Sequence, residues 1–177
     1  MSLINTVNPK TATGPIKQIY DGIKKQMGMI PNAFIAFSAS PHRLEAQVKE
    51  IGYYMGHPNL GQELTAAIRY TVAAEHDCEY CVVVNGGMLQ QAGWSKDNVE
   101  ALVTDPGSAN LNAKDKALFL TVLKAIRTPA EVDQGDIEEL RSLGWSDQDI
   151  FDGVAHGAYS IAFDTMISAF KIQPEKH

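Results

Sequence analysis

Apolar side chains recur along this 177-residue chain at intervals of three and four, and no stretch alternates convincingly as a half-buried strand would. That period predicts an all-α fold. Ile16, Ile19, Tyr20, Ile23 and Met27 form one helical face, with Pro15 suited to its first turn and Gly28 to its end. A short apolar helix is expected over 33–39, capped by Asn32, and a longer one opened by Ser40-Pro41 carries Leu44, Val48, Ile51 and Met55. Leu64, Ala67, Ile68, Thr71, Val72 and Glu75 mark the next, over 61–76. Helices follow over 112–127 and, shorter, up to Gly144, and the longest spans 146–171. That last one is apolar on most faces, so it belongs in the core or between subunits. Residues 1–14 read as a loosely held arm and 15–177 as a single domain, a size that supports a substantial core. One segment conflicts: Val82-Val83-Val84 is β-branched and Asn85-Gly86-Gly87 is a hairpin-turn signal. Gly93-Trp94-Ser95 returns as Gly144-Trp145-Ser146, a reused corner of left-handed stop, packed indole and helix cap.

The net charge of −6 leaves no electrostatic footprint for nucleic acid or an anionic membrane surface. No apolar run reaches the ~20 residues that span a bilayer, and the polar first residues lack a signal peptide's apolar region. A reducing cytoplasm is the expected compartment.

The only two cysteines, Cys78 and Cys81, form a Cys-x-x-Cys pair. Two intervening residues let the thiols meet on one helical turn. At a helix N-terminus, free N–H groups and the positive dipole end favour the reactive thiolate. Three chemistries fit the pair. A cytoplasmic dithiol that cycles with its disulfide needs nothing more. A structural zinc site needs four ligands, so His57, His76 or His156 would have to join. Two small buried apolar residues are the third reading.

In order along the chain, Met29-Ile30-Pro31-Asn32-Ala33-Phe34, Ser40-Pro41, Thr71-Val72-Ala73-Ala74 and Cys78-Glu79-Tyr80-Cys81 are followed by the Gly93 corner, Thr128-Pro129 and Leu143-Gly144-Trp145-Ser146-Asp147. So arranged, the chain resembles the AhpD-like alkylhydroperoxidases of the carboxymuconolactone decarboxylase family, in their cysteine-bearing branch, from about residue 15 to 170. The resemblance implies a multi-helix bundle with the cysteines opening a helix, which would make 82–87 helical despite its local preference. It implies a homo-oligomer, whether dimer, trimer or hexamer, that reduces hydroperoxides in antioxidant defence. No cofactor is implied beyond the redox-active disulfide. One thiol would become a sulfenic acid and the other would close the disulfide, which a thiol reductant protein reopens. The family pattern gives the attack to Cys81 and the resolving step to Cys78.

Two departures stand out. The family's relay histidine falls at Asn85 and its relay glutamate at Ala66, four residues after the second cysteine and twelve before the first. Asparagine donates a hydrogen bond but is no base at neutral pH. Replacement proton carriers or thiolate supports are sought at Glu63, Glu75, His76 and His156, with Asn85 as a donor and Tyr80 as a pocket residue. If none serves, the alternative is a non-enzymatic helical protein that keeps the pair as a redox sensor or as core.

Overall fold

The computed structural model describes residues 2–175, so Met1, Lys176 and His177, the extremes of the expected arm and domain, lie outside it. Its described residues form nine α-helices and two single-turn 3-10 helices, with no strand. The chain divides into two compact units, one of residues 1–56 with 166–177 and one of residues 57–165.

The first unit holds α1 (Gly14–Met27), α2 (Asn32–Phe37) and α3 (Pro41–Met55). Its core is Tyr20, Ile23, Phe34, Phe37 and Leu44. The segment before α1 is tied to it: the Val7 N–H donates to Ser38 Oγ at 2.8 Å, and Tyr20 Oη donates to the Val7 carbonyl at 2.9 Å. Asn32 is the first residue of α2 rather than its cap. Its side chain donates to the Gln173 carbonyl at 3.1 Å, and its N–H is taken by Glu175 at 2.7 Å.

The second unit contains α4 (Gln62–Glu75), α5 (Glu79–Gln91), α6 (Lys96–Thr104), α7 (Ala113–Arg127), α8 (Gln134–Ser142) and α9 (Asp147–Ala169) up to Thr165. α4 is almost wholly buried through Leu64 to Ile68 and Tyr70 to Ala73, so it is the post against which α5, α6 and α7 pack. Leu89, Val99, Leu102, Leu118, Phe119, Val122 and Leu140 close the core around it.

Side chains start several of these helices. Ser95 accepts from the Asn98 N–H at 3.1 Å, Asn112 from the Asp115 N–H at 2.9 Å, and Asp133 and Asp136 bond reciprocally as a capping box. Ser146 and Asp149 do the same for α9, with each backbone N–H donating to the other's side chain at 3.1 Å. The two corners match as expected: Gly93 and Gly144 have φ of 97° and 86°, and both indoles are buried. Trp94 Nε1 donates to Glu63 at 2.8 Å and Trp145 Nε1 to the Lys114 carbonyl at 3.0 Å.

Residues 82–87 are helical, inside α5. Tertiary packing explains why the local preference loses. A Cβ at Gly86 would sit 3.2 Å from Cε2 of Tyr70, so the bare backbone lets the ring lie close between α4 and α5. Asn85 lies inside α5 and is buried instead of making a turn.

Candidate active site

The Cys-x-x-Cys sits where α4 ends and α5 begins. Asp77 adopts φ 52°, in the left-handed region that Asp tolerates better than most residues, and reverses the chain. The Cys78 N–H then reaches back to the Ala73 carbonyl at 2.9 Å. Cys78 becomes the N-cap of α5 but makes no side-chain cap bond, and its side chain is buried. Cys81 lies one turn on. Both are free thiols, 1% and 4% exposed.

A third group joins them. Asp164 of α9, 2% exposed, brings a carboxylate oxygen to the pair, and this oxygen and the two sulfurs all lie within 4.8 Å of one another. Its Oδ2 is the one buried side-chain oxygen or nitrogen without a hydrogen-bond partner among the described residues. A close helix contact puts it there. A Cβ at Gly157 would meet Val122 Cγ1 at 2.7 Å, so only glycine lets α9 lie this near α7, two turns before Asp164.

Arg69 of α4 supplies the local positive charge. Its Nε donates to Asn85 Oδ1 at 2.7 Å, and its Nη1 lies 3.1 Å from His156 Nε2. Asn85 Nδ2 in turn donates to the Cys81 carbonyl at 2.8 Å, tying the guanidinium to the turn that bears the thiols.

The ionisation states follow from burial. Desolvation pulls the Arg69 pKa down to about 10, against the fields of Cys81 and Asp164, so it stays charged at neutral pH. His156 is pulled to about 3 by burial and by the Arg69 charge, and is therefore a neutral acceptor. Asp164 is pushed up to about 7, chiefly by burial and also by Cys78, while the Cys81 hydrogen bond and Arg69 pull it down. The Cys81 thiol is pushed up, first by its hydrogen bond to Cys78, then by burial and by the Asp164 charge. The arrangement is a buried two-thiol, one-carboxyl cluster with a fixed cation beside it. It can hold and move a proton near neutrality.

The residues expected from sequence divide sharply. Cys78, Cys81, Asn85 and His156 are brought together, the last through Arg69. Tyr80 is buried at the start of α5. Glu63 is held by the Trp94 indole and Glu75 by an ion pair with Arg127, and both carboxylates are thereby committed to structural bonds. His76 is exposed at the C-cap of α4. Ala66 is a core methyl with no relay function.

Arg69 and Asp164 went unread in sequence, yet each left a trace. His156, Ser160 and Asp164 are buried polar residues at i, i+4 and i+8, one polar stripe along the later turns of α9. Arg69 is the lone cation of an Ala-rich helix.

For a metal, the donor set is short. The cluster offers three ligands where a closed structural zinc site takes four. Among the described residues no histidine joins the group: His57 Nδ1 accepts from the Asn59 and Leu60 N–H groups, and its Nε2 faces Asp152. The Arg69 charge, which acts on both Cys81 and Asp164, would also oppose a cation bound between them.

This helical arrangement, with a Cys-x-x-Cys opening α5, is the AhpD-like fold. A structure described as an alkylhydroperoxidase AhpD core, an uncharacterized peroxidase-related protein from Ralstonia eutropha JMP134, superposes with a TM-score of 0.85 at 21% identity over 99% of this chain and 93% of that one. An uncharacterized peroxidase-related protein from Silicibacter sp. TM1040 gives 0.79 at 23%, over 98% and 95%. A cysteine-to-alanine variant of the debrominase Bmp8 in complex with 2,3,4-tribromopyrrole gives 0.76 at 17%, over 99% and 92%. No family model and no curated protein matches the sequence. At these identities the likeness establishes the fold.

Proposed function

We propose that this protein is a dithiol oxidoreductase that reduces hydroperoxides through a Cys78/Cys81 thiol–disulfide cycle. The observation that carries the reading is the convergence of both thiols and a buried carboxyl within 4.8 Å. A core that needed only two small apolar residues has no use for a buried carboxyl beside them, one of whose oxygens lacks a hydrogen-bond partner.

One thiolate attacks the outer peroxide oxygen and the O–O bond breaks, giving a sulfenic acid and an alcohol. The second thiol then displaces water and closes the disulfide. A thiol reductant protein restores both thiols by exchange and is itself oxidised. The resemblance assigns the attack to Cys81. The surroundings favour Cys78, because Cys81 keeps its proton in a hydrogen bond to Cys78, and Cys78 occupies the helix N-terminus. A homo-oligomer in a reducing, cytoplasmic setting completes the reading, with Phe151 of α9, 75% exposed, available to an assembly contact.

Sulfenate trapping in reduced Cys78→Ser and Cys81→Ser proteins tests this. Sulfenic acid accumulating in Cys81→Ser, and not in Cys78→Ser, supports the assignment. The reverse gives the attack to Cys81. Oxidation in neither variant sinks the enzyme reading and leaves the pair structural. The fold shared with a debrominase makes brominated pyrroles the second substrate class to assay, since dehalogenation would draw on the same two-electron thiol cycle.

A further inference from the structure

Accepting the dithiol cycle, the geometry points to Asp164 as its acid–base catalyst: the carboxylate takes the proton of the attacking thiol and returns it to the oxygen that leaves. The family's usual relay positions hold Ala66 and Asn85, so the proton needs another carrier. Asp164 lies against both sulfurs, and its Oδ2 has an unused lone pair in a site closed to water. The titratable and charged groups facing it are Cys78 and Cys81 from the start of α5 and Arg69 from α4. Its pKa, raised to about 7, fits a group that both accepts and donates near neutral pH. The other nearby ionisable groups do not fit. His156 is neutral down to about pH 3 and Arg69 stays charged up to about pH 10.

The proton count balances at each step. The Cys78 S–H proton passes to Asp164, and the thiolate attacks the hydroxyl-bearing oxygen of ROOH. The O–O bond breaks, sulfur loses two electrons, and the RO group leaves with the electron pair. Asp164 gives it the proton, forming ROH and Cys78–SOH. The regenerated carboxylate then takes the Cys81 proton and passes it to the departing hydroxide, so that the disulfide and water form together.

Leaving groups of different basicity test this. An alkyl hydroperoxide expels an alkoxide that needs a proton, whereas a peracid expels a carboxylate that does not. Single-turnover oxidation of the reduced protein would be followed across pH for wild type, Asp164→Asn and Asp164→Glu, with helical content checked by circular dichroism. We expect Asp164→Asn to slow alkyl hydroperoxide reduction by about a hundredfold, the lower end of what a positioned acid contributes. It should also lose the ionisation near neutrality yet reduce the peracid within about tenfold of wild type once the medium is alkaline enough to form the thiolate. Asp164→Glu should recover part of the alkyl hydroperoxide rate. Equal losses for both oxidants, or no loss for either, would overturn the role of Asp164. A wild type that reduces neither oxidant would instead remove the dithiol reading beneath it.

Discussion

The carboxyl that serves the chemistry should weaken the fold. Asp164 is held at a pKa of about 7 against an ordinary 3.8, mainly by burial. Below the lower value the native and unfolded chains are both protonated, so the group favours neither. Between the two, the native state keeps a proton that the unfolded chain has lost. Each rise in pH there pulls the balance toward unfolding. Above the upper value the penalty is complete: at 1.36 kcal/mol per unit the shift corresponds to roughly 4 kcal/mol. Coupling to the thiols and to Arg69 shares that shift among several groups, so about 2–4 kcal/mol is expected for Asp164 itself. Asparagine has nearly the same shape and no charge. Urea unfolding of reduced wild type and Asp164→Asn at about pH 5 and about pH 8.5 measures the difference. Part of the penalty has already built up at pH 5, so the variant should gain about 1–3 kcal/mol on wild type between those two conditions. Parallel stability profiles would refute the claim that a buried carboxylate ionises there, whatever the activity does.

Other substitutions check the supporting structure. Asn85→Ala removes the partner of Arg69 Nε and the donor to the Cys81 carbonyl, and should cost about 1–3 kcal/mol in urea unfolding. Asp77→Val forces a β-branched residue into the left-handed turn before Cys78 and should destabilise by roughly 1–2 kcal/mol, while Asp77→Gly should be close to neutral. Gly157→Ala should lower the melting temperature, because its Cβ meets Val122 at 2.7 Å and the roughly 1–3 kcal/mol of overpacking exceeds the gain in helix propensity. Gly22→Ala, with open space around it in α1, should raise stability by up to about 1 kcal/mol.

Much of the scaffold was legible because helix period and caps are local. The faces that locate α1, α3, α4 and α7, and the Gly-Trp-Ser corners that open α6 and α9, are written in residues near one another in sequence. Residues 82–87 were legible only through the family resemblance. Their local preference is for strand and turn, and what overrides it is a ring from another helix, Tyr70, and an arginine, Arg69, sixteen residues from its partner Asn85. The candidate site divides in the same way. The cysteine pair announces itself by spacing. Asp164 reaches it from α9, far along the chain, and only the contact of Gly157 with Val122 brings the helix near enough. Glu63 and Glu75 showed the right chemistry in sequence, but their partners, Trp94 and Arg127, come from the corner before α6 and from α7.

The central claim is that Cys78 and Cys81 are a working dithiol, and one titration tests it most directly. Fully reduced protein would be mixed with one equivalent of an organic hydroperoxide, and free thiols and intact mass followed. Both thiols should disappear together, with the loss of two hydrogens, a Cys78–Cys81 cross-linked peptide and full recovery on adding a dithiol. Thiols that remain titratable after the peroxide is added, or a mass gain on methionine in place of the disulfide, would contradict the account.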